Sequence, residues 1–429
     1  MENKLHKLKT ITGLLIIGIF IGAIISQGYR WLMPSWGKTN DSVQGIVTTP
    51  TPIPTQELQE SDTVDEPMMV CEYIDNIKGI AYTPSANDDI QDIIGYQNNK
   101  FGIYIYAEVN DFMDMADELV NSNGGEWGYV LIPYNVKDRN ENRWGDLFVR
   151  LAEKKLIPII QLWDLDLEDD KRNKQIQGSA EFLNTLQWPI KHRYISVYNE
   201  PNDANFWKGE INPEQYADVL DKTITAFKTL DNDFFMLNGA FNSSARTGQD
   251  HLDVRDYMRT MNRAVPGIFA RLDGWASHPY PQPNFSGPVN STGRDSIRAY
   301  DWELNFLKNE FKIDTAKLPV FITETGWAHI ESEESGNENG YKYNQHQVAD
   351  NFVKAFNDVW LKDPKVVAVT PFTIRYDKPF DHFSWVTKNG NPYPQFDAIK
   401  NMKKIQGKPP SLTYARGKIL DCEYKSVTP

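Results

Sequence analysis

From about residue 74 onward, short runs rich in β-branched and aromatic residues alternate with longer amphipathic stretches, and this alternation constrains the fold more than any other feature of the chain. Eight runs are strand candidates: 101–107, 129–134, 157–163, 194–199, 234–239, 273–278, 319–324 and 366–374. A stretch of helical spacing follows each. Asn212 offers a cap and Pro213 a first turn for Tyr216, Leu220, Ile224, Phe227 and Leu230, and Val348, Phe352, Phe356, Val359 and Trp360 recur in the same way. Such alternation builds a parallel sheet with crossover helices, and eight units predict a closed (β/α)8 barrel, the TIM-barrel form of the α/β class. An open doubly wound sheet shares the alternation, but the glycine-rich phosphate turn that marks it follows no strand in this sequence. Cys71 to Ala86 reads as an extra strand or lid at the base of the barrel.

The residues before this region behave differently. Thr10 to Tyr29 are twenty uncharged residues, and at about 1.5 Å per residue a helix of that length spans about 30 Å, one hydrocarbon thickness. Lys4, Lys7 and Lys9 predict the N-terminal end inside, with Tyr29, Trp31 and Trp36 as interfacial anchors on the far side. The alternative is a cleaved signal peptide, since Ser26-Gln27-Gly28 is a small-x-small triplet after the apolar stretch Ile11 to Ile25, and the protein is then secreted. Residues 37–66 lack apolar periodicity and include Thr48-Thr49-Pro50-Thr51-Pro52-Ile53-Pro54-Thr55, a tract that favours extended polyproline II geometry. The expected organisation is therefore a membrane anchor with its flanks over 1–36, an extracytoplasmic linker over 37–66 and a barrel domain over 67–429. The barrel faces outward on the cell membrane.

The net charge of −13 opposes binding to phosphate backbones, and no basic stripe with interleaved aromatics appears, so no nucleic-acid partner is expected. Two cysteines flank the barrel region, Cys71 and Cys422. In a closed barrel the first and last elements are neighbours, so these two are candidates for a disulfide in an oxidising compartment, the other reading being two unrelated thiols.

Two glutamates end apolar runs. Glu200 closes Tyr194-Ile195-Ser196-Val197-Tyr198-Asn199-Glu200-Pro201, and Glu324 closes Pro319-Val320-Phe321-Ile322-Thr323-Glu324. A carboxylate where a buried strand opens into a loop sits on the face of a parallel barrel that carries its chemistry. Three βα units separate the two, which assigns them to strands four and seven, facing each other across the mouth.

Asn199-Glu200-Pro201, His278-Pro279-Tyr280 and Thr323-Glu324, together with the tail from Trp385 through Asn389-Gly390-Asn391-Pro392-Tyr393-Pro394-Gln395-Phe396, resemble the clan A glycoside hydrolases, the retaining (β/α)8 enzymes. The likeness covers roughly residues 100–400 and singles out no one family. It implies a hydrolase of β-linked poly- or oligosaccharides that needs no cofactor, with Glu200 as general acid and base and Glu324 as nucleophile. It further implies that Asn199 bonds the sugar 2-hydroxyl, that Tyr280 orients the nucleophile and that His278 supports it. Trp385, Trp163, Trp327 and Trp207 are candidate sugar-stacking faces, each with core packing as the alternative.

The chain departs from the clan in carrying Tyr134-Asn135 and Trp163-Asp164 where many members place an arginine and a histidine. Arg375 is a candidate replacement for that charge, or one half of a rim ion pair. The acidic loop Asp164 to Asp170 lacks the turn glycine and distal glutamate of a calcium loop, and no zinc pattern appears, so no metal is expected. The rival from another class is a catalytically silent glycan-binding surface protein on the same barrel.

Overall fold

A computed structural model describes residues 97–106, 110–337 and 339–410, and the backbone of the short strands Met68–Cys71, Ala81–Tyr82, Leu412–Thr413 and Cys422–Lys425. The expected membrane segment 10–29, the linker 37–66 and most of Cys71 to Ala86 lie outside the described residues. Among the described residues no helix is long and apolar enough to cross a membrane. The chain divides into a unit over Tyr82–Thr413 and a second formed by Met1–Ala81 with Tyr414–Pro429. In the second unit Met68–Cys71 pairs antiparallel with Cys422–Lys425, with Cys71 in register with Cys422, while the side chains of both cysteines lie outside the described residues.

The larger unit contains eight parallel strands: β1 (Gly102–Tyr104), β2 (Gly128–Asn135), β3 (Leu156–Trp163), β4 (Arg193–Val197), β5 (Phe234–Asn238), β6 (Trp275–Ser277), β7 (Val320–Ile322) and β8 (Val366–Val369). β1 to β5 form one ladder in chain order and β6 to β8 another. A parallel bridge between Leu237 and Gly274 joins β5 to β6, and one between Phe101 and Val369 joins β8 back to β1. Asp273 N donates to Met236 O at 3.0 Å and Val369 N to Lys100 O at 2.9 Å across these seams. With both seams hydrogen-bonded, the ring is closed and no long edge is left unpaired.

The period-2 geometry of strands divides the core. Tyr129, Leu131, Ile157, Ile159, Tyr194, Phe235 and Phe321 pack together inside the ring, whereas their neighbours Val130, Ile132, Ile160, Ile195, Met236, Val320 and Ile322 pack against the helices. A strand buried on both sides has to be apolar throughout, which is why these runs read as continuous rather than alternating. The helix over Pro213–Leu230 begins as the sequence predicts, with the Asn212 side chain accepting from Gln215 N and Pro213 in the first turn. Tyr216, Leu220, Ile224 and Phe227 are buried, and Leu230, its last residue, is exposed instead. Gln345–Ala355 opens with a capping box between Asn344 and Gln347 and passes into a wider π turn over Phe356–Trp360, which still buries Phe356, Val359 and Trp360.

β1, β4, β7 and β8 stop short of the predicted ends, at Tyr104, Val197, Ile322 and Val369. The seam beside β4 is tight. A Cβ on Gly239 would stand 2.6 Å from Val197 O and 2.9 Å from the Tyr216 hydroxyl oxygen. Glycine there lets Gly239 N donate to that hydroxyl at 2.7 Å, while the hydroxyl donates to Val197 O at 3.0 Å, which anchors the end of β4.

Candidate active site

Glu200 stands three residues beyond β4. Its N–H donates to Ala240 O at 2.9 Å and its carbonyl accepts from Asp203 N at 2.9 Å. Tyr198 and Glu200 adopt φ of 72° and 34° on either side of Asn199, in the left-handed region where a Cβ is crowded. Two such residues within one turn cost about 1–3 kcal/mol each and persist only where the surroundings fix them, a pattern that concentrates at functional sites. Glu324 stands two residues beyond β7. Thr323 N donates to Ser277 O at 3.1 Å, and the Thr325 hydroxyl donates to Pro279 O at 2.9 Å, so the ends of β6 and β7 are fastened to each other.

The two carboxyl groups converge on one ring. His278, wholly buried just after β6, places Nδ1 3.0 Å from Glu200 Oε1 and 3.8 Å from Glu324 Oε2. The two oxygens are thereby bounded within about 7 Å of each other. That bound admits the roughly 5 Å separation of a carboxyl pair in which one carboxylate attacks directly. The Tyr280 hydroxyl donates to Glu324 Oε2 at 3.0 Å.

Burial dominates the protonation of this group. Desolvation, helped by the nearby Asp203 charge and opposed by His251, pushes Glu200 up to about 8. Desolvation also lifts Glu324, to about 7, with the Glu200 charge adding to the rise while His278 and the Tyr280 hydroxyl hold it down. Burial lowers His278, against the pull of Glu324. Burial raises both carboxyls, and the Asp203 charge beside Glu200 and the Tyr280 hydroxyl on Glu324 bias the proton towards Glu200.

Tyr280→Phe removes a hydrogen bond to the charged form of Glu324, an interaction worth about 1.5–3 kcal/mol. The expected result is a loss of about 10- to 100-fold in kcat/KM with the acid limb of the pH profile moved upward, since only His278 is then left to favour the charged form against burial and the Glu200 charge. Steady-state kinetics across pH on the folded variant checks it.

Asn199 Oδ1 accepts from Gln161 Nε2 at 3.0 Å, which fixes the amide and presents its NH2 as the donating side. Gln161 is a site residue that the sequence reading did not single out. It is the one polar side chain in the β3 run LIPIIQLW, and that was its signal.

The tryptophans are a correction. Trp207, Trp327 and Trp385 are only 3%, 1% and 1% exposed. Trp207 donates its indole N–H to Gln215 Oε1 and stands edge-on to Tyr198 and Tyr216. Trp327 donates to Gly287 O and packs on Phe352, as Trp385 also does. None of the three offers a free face to a sugar, because each completes the core between barrel and helices. Trp163 alone is partly exposed, at the end of β3. The partly exposed aromatic rings near Glu324 are others: Tyr280 and Phe285, edge to face at 5.2 Å, and Tyr106 and Tyr376, 5.6 Å apart. Glu324 contributes to raising the Tyr376 hydroxyl, after burial, which places that ring within its field.

Among the described residues Arg375 forms no ion pair; it donates to Lys388 O at 3.1 Å and lies over the Phe112 ring. In the acidic loop, Asp164 accepts from Lys208 Nζ at 2.5 Å and Lys137 Nζ at 3.1 Å, and Asp166 pairs with Lys137 at 3.3 Å. These carboxylates answer to lysines, and among the described residues no cluster of histidine, cysteine or acidic side chains is arranged to hold a metal.

No protein-family model and no curated protein matches the chain. Solved structures do match. A monomeric β-xylosidase from Caulobacter crescentus CB15 superposes with a TM-score of 0.52 at 15% identity, over 71% of this chain and 68% of its own. A GH39 β-xylosidase from Caulobacter crescentus gives 0.51 at 14% identity, over 71% of this chain and 70% of that one. At such identity the likeness is one of fold: the chain is an α/β protein with a parallel-stranded barrel of the kind found in these glycoside hydrolases.

Proposed function

We propose that the protein is a glycoside hydrolase that cleaves β-linked glycans with retention of configuration, using Glu324 as nucleophile and Glu200 as acid and base. One observation carries the reading: carboxyl groups from the ends of strands four and seven meet on the Nδ1 of a single buried histidine. In the first step a Glu324 oxygen bonds to the anomeric carbon, the glycosidic C–O bond breaks, and the Glu200 proton passes to the departing oxygen. In the second, Glu200 takes a proton from water, the water oxygen bonds to the anomeric carbon, and the bond to Glu324 breaks. Forming the ester neutralises Glu324, so Glu200 ionises more readily at the moment a base is needed. Asn199 bonds the sugar 2-hydroxyl through its NH2, a role supported by the bond from Gln161 to its Oδ1, and that interaction strengthens in the transition state.

The order of the two protonation equilibria fixes a pH dependence. Glu324 has to be ionised, which favours pH above about 7, and Glu200 has to be protonated, which favours pH below about 8. The free enzyme is expected to show a narrow bell in kcat/KM with its maximum between those values, both limbs belonging to the coupled pair. A panel of chromogenic β-glycosides and polysaccharides, offered to residues 67–429 at several pH values, tests the activity. Release from at least one member is expected, and silence across the panel favours a glycan-binding protein. Residues 10–29, uncharged behind three lysines, support a single-pass anchor with the barrel outside. N-terminal sequencing of the mature protein checks this, and a chain starting at Tyr29 overturns it.

A further inference from the structure

Directly after Glu200 in the chain, two loops are stitched together. Leu252 N donates to Asn202 O at 3.0 Å and Ala204 N to Asp250 O at 2.8 Å, so residues 202–204 and 250–252 run as a short antiparallel pair centred on Asp203 and His251. The fully buried Asn202 reinforces it: Nδ2 donates to Asn242 O and Leu252 O at 3.1 Å each, and Oδ1 accepts from Asn242 N at 3.0 Å. Within this frame His251 Nε2 lies 2.9 Å from Asp203 Oδ2. Asp203 Oδ1 accepts from the backbone N and side-chain Nδ2 of Asn205, both at 2.9 Å. The Asp203 carboxylate is buried, and His251 keeps one edge towards solvent.

Resting on the assignment of Glu200 as acid and base, we infer that Asp203 and His251 are positioning residues, an ion couple whose balance of charge sets when Glu200 holds its proton. The physical reason is proximity without contact. Asp203 follows Glu200 by three residues and is tied to it through the backbone, Asp203 N donating to Glu200 O at 2.9 Å. Its negative charge disfavours ionisation of Glu200, whereas the His251 imidazolium favours it. Glu200 in turn helps hold the proton on His251, with Asp203 as the main cause and Asp250 adding to it. The charged and titratable groups around Glu200 are thus His278 from the end of β6, Glu324 from the end of β7, Asp203 on its own loop, and His251 with Asp250 on the loop after β5. With His251 protonated the couple is nearly neutral. With His251 neutral Asp203 stands bare, and Glu200 keeps its proton to higher pH.

The two halves of the couple therefore act with opposite sign. Asp203→Asn is expected to move the alkaline limb of kcat/KM down, and His251→Gln, which keeps a polar side chain but not the charge, to move it up, each by about half a pH unit or more. A merely structural couple lowers activity in both variants without moving the limb, or moves it the same way in both; either result overturns the inference. A second measurement needs neither hydrolysis nor these substitutions. The imidazole of His251 is titrated by NMR in the unaltered protein, where ionisation of Glu200 is expected to add a second, alkaline inflection to its chemical shift, and in Glu200→Gln, where that inflection is expected to vanish. The same single inflection in both proteins overturns the coupling. A protein that shows the coupling but cleaves no glycoside keeps this inference about charge and sinks the hydrolase reading.

Discussion

Glu324→Gln is expected to remove turnover almost completely while leaving the barrel folded. The carboxamide matches the carboxylate in shape and can still accept from the Tyr280 hydroxyl, but it cannot bond to the anomeric carbon and depart again as a stable anion. Losses on removing a nucleophile that acts as part of a unit reach about 10^4-fold and beyond. Stability should move the other way at alkaline pH. Burial raises Glu324 above its unfolded value, so the folded state binds the proton more tightly. The contribution of that carboxyl to stability is greatest below the unfolded value and is lost as pH rises through about 7. A glutamine carries no such cost, so the variant's denaturant midpoint at pH 8 is expected to equal or exceed that of the unaltered protein. Hydrolysis at an undiminished rate in a folded Glu324→Gln protein would remove Glu324 from the mechanism.

Glu200→Ala is expected to separate the two halves of the reaction. Protonation of the departing oxygen matters when that oxygen is a poor leaving group and hardly at all when it is a nitrophenolate. The loss in kcat/KM should therefore reach about 10^2–10^4-fold on oligosaccharides and be much smaller on activated aryl glycosides. With an activated substrate the covalent intermediate then accumulates, because water lacks its base, and kcat falls with KM. Azide, a nucleophile that needs no deprotonation and fits the space left by the carboxyl, should restore kcat and yield a glycosyl azide of the substrate's own configuration. A uniform loss over all leaving groups, with no effect of azide, would assign Glu200 to structure instead.

The barrel was legible because its signal is periodic. Strands buried on both faces are apolar from end to end, and the crossover helices announce themselves by a 3.6-residue period and by a cap such as Asn212-Pro213. The placement of the two glutamates after β4 and β7 followed from the same count. Side-chain exposure was not legible. Trp207, Trp327 and Trp385 lie in loops or near strand ends, where a tryptophan can face a groove or seal the gap between barrel and helices, and no local pattern distinguishes these. The frame that holds Asp203 against His251 joins loops through pairings that have no period, and its chemistry exists only once β4 and β5 are side by side. Arg375 failed as a charge for the site because its neighbours, Phe112 and Lys388, come from other parts of the chain.

Covalent capture of the intermediate tests the central assignment most directly. A fluorine at the sugar C2 destabilises the oxocarbenium-like transition states of both steps, and a good leaving group restores speed only to the first, so the glycosyl-enzyme persists. With the 2-deoxy-2-fluoro form of whichever β-glycoside the panel shows to be cleaved, mass spectrometry of a digest should find one added glycosyl group, on the peptide that carries Glu324. A label on another residue, or continued cleavage with no label at any time, would contradict the account.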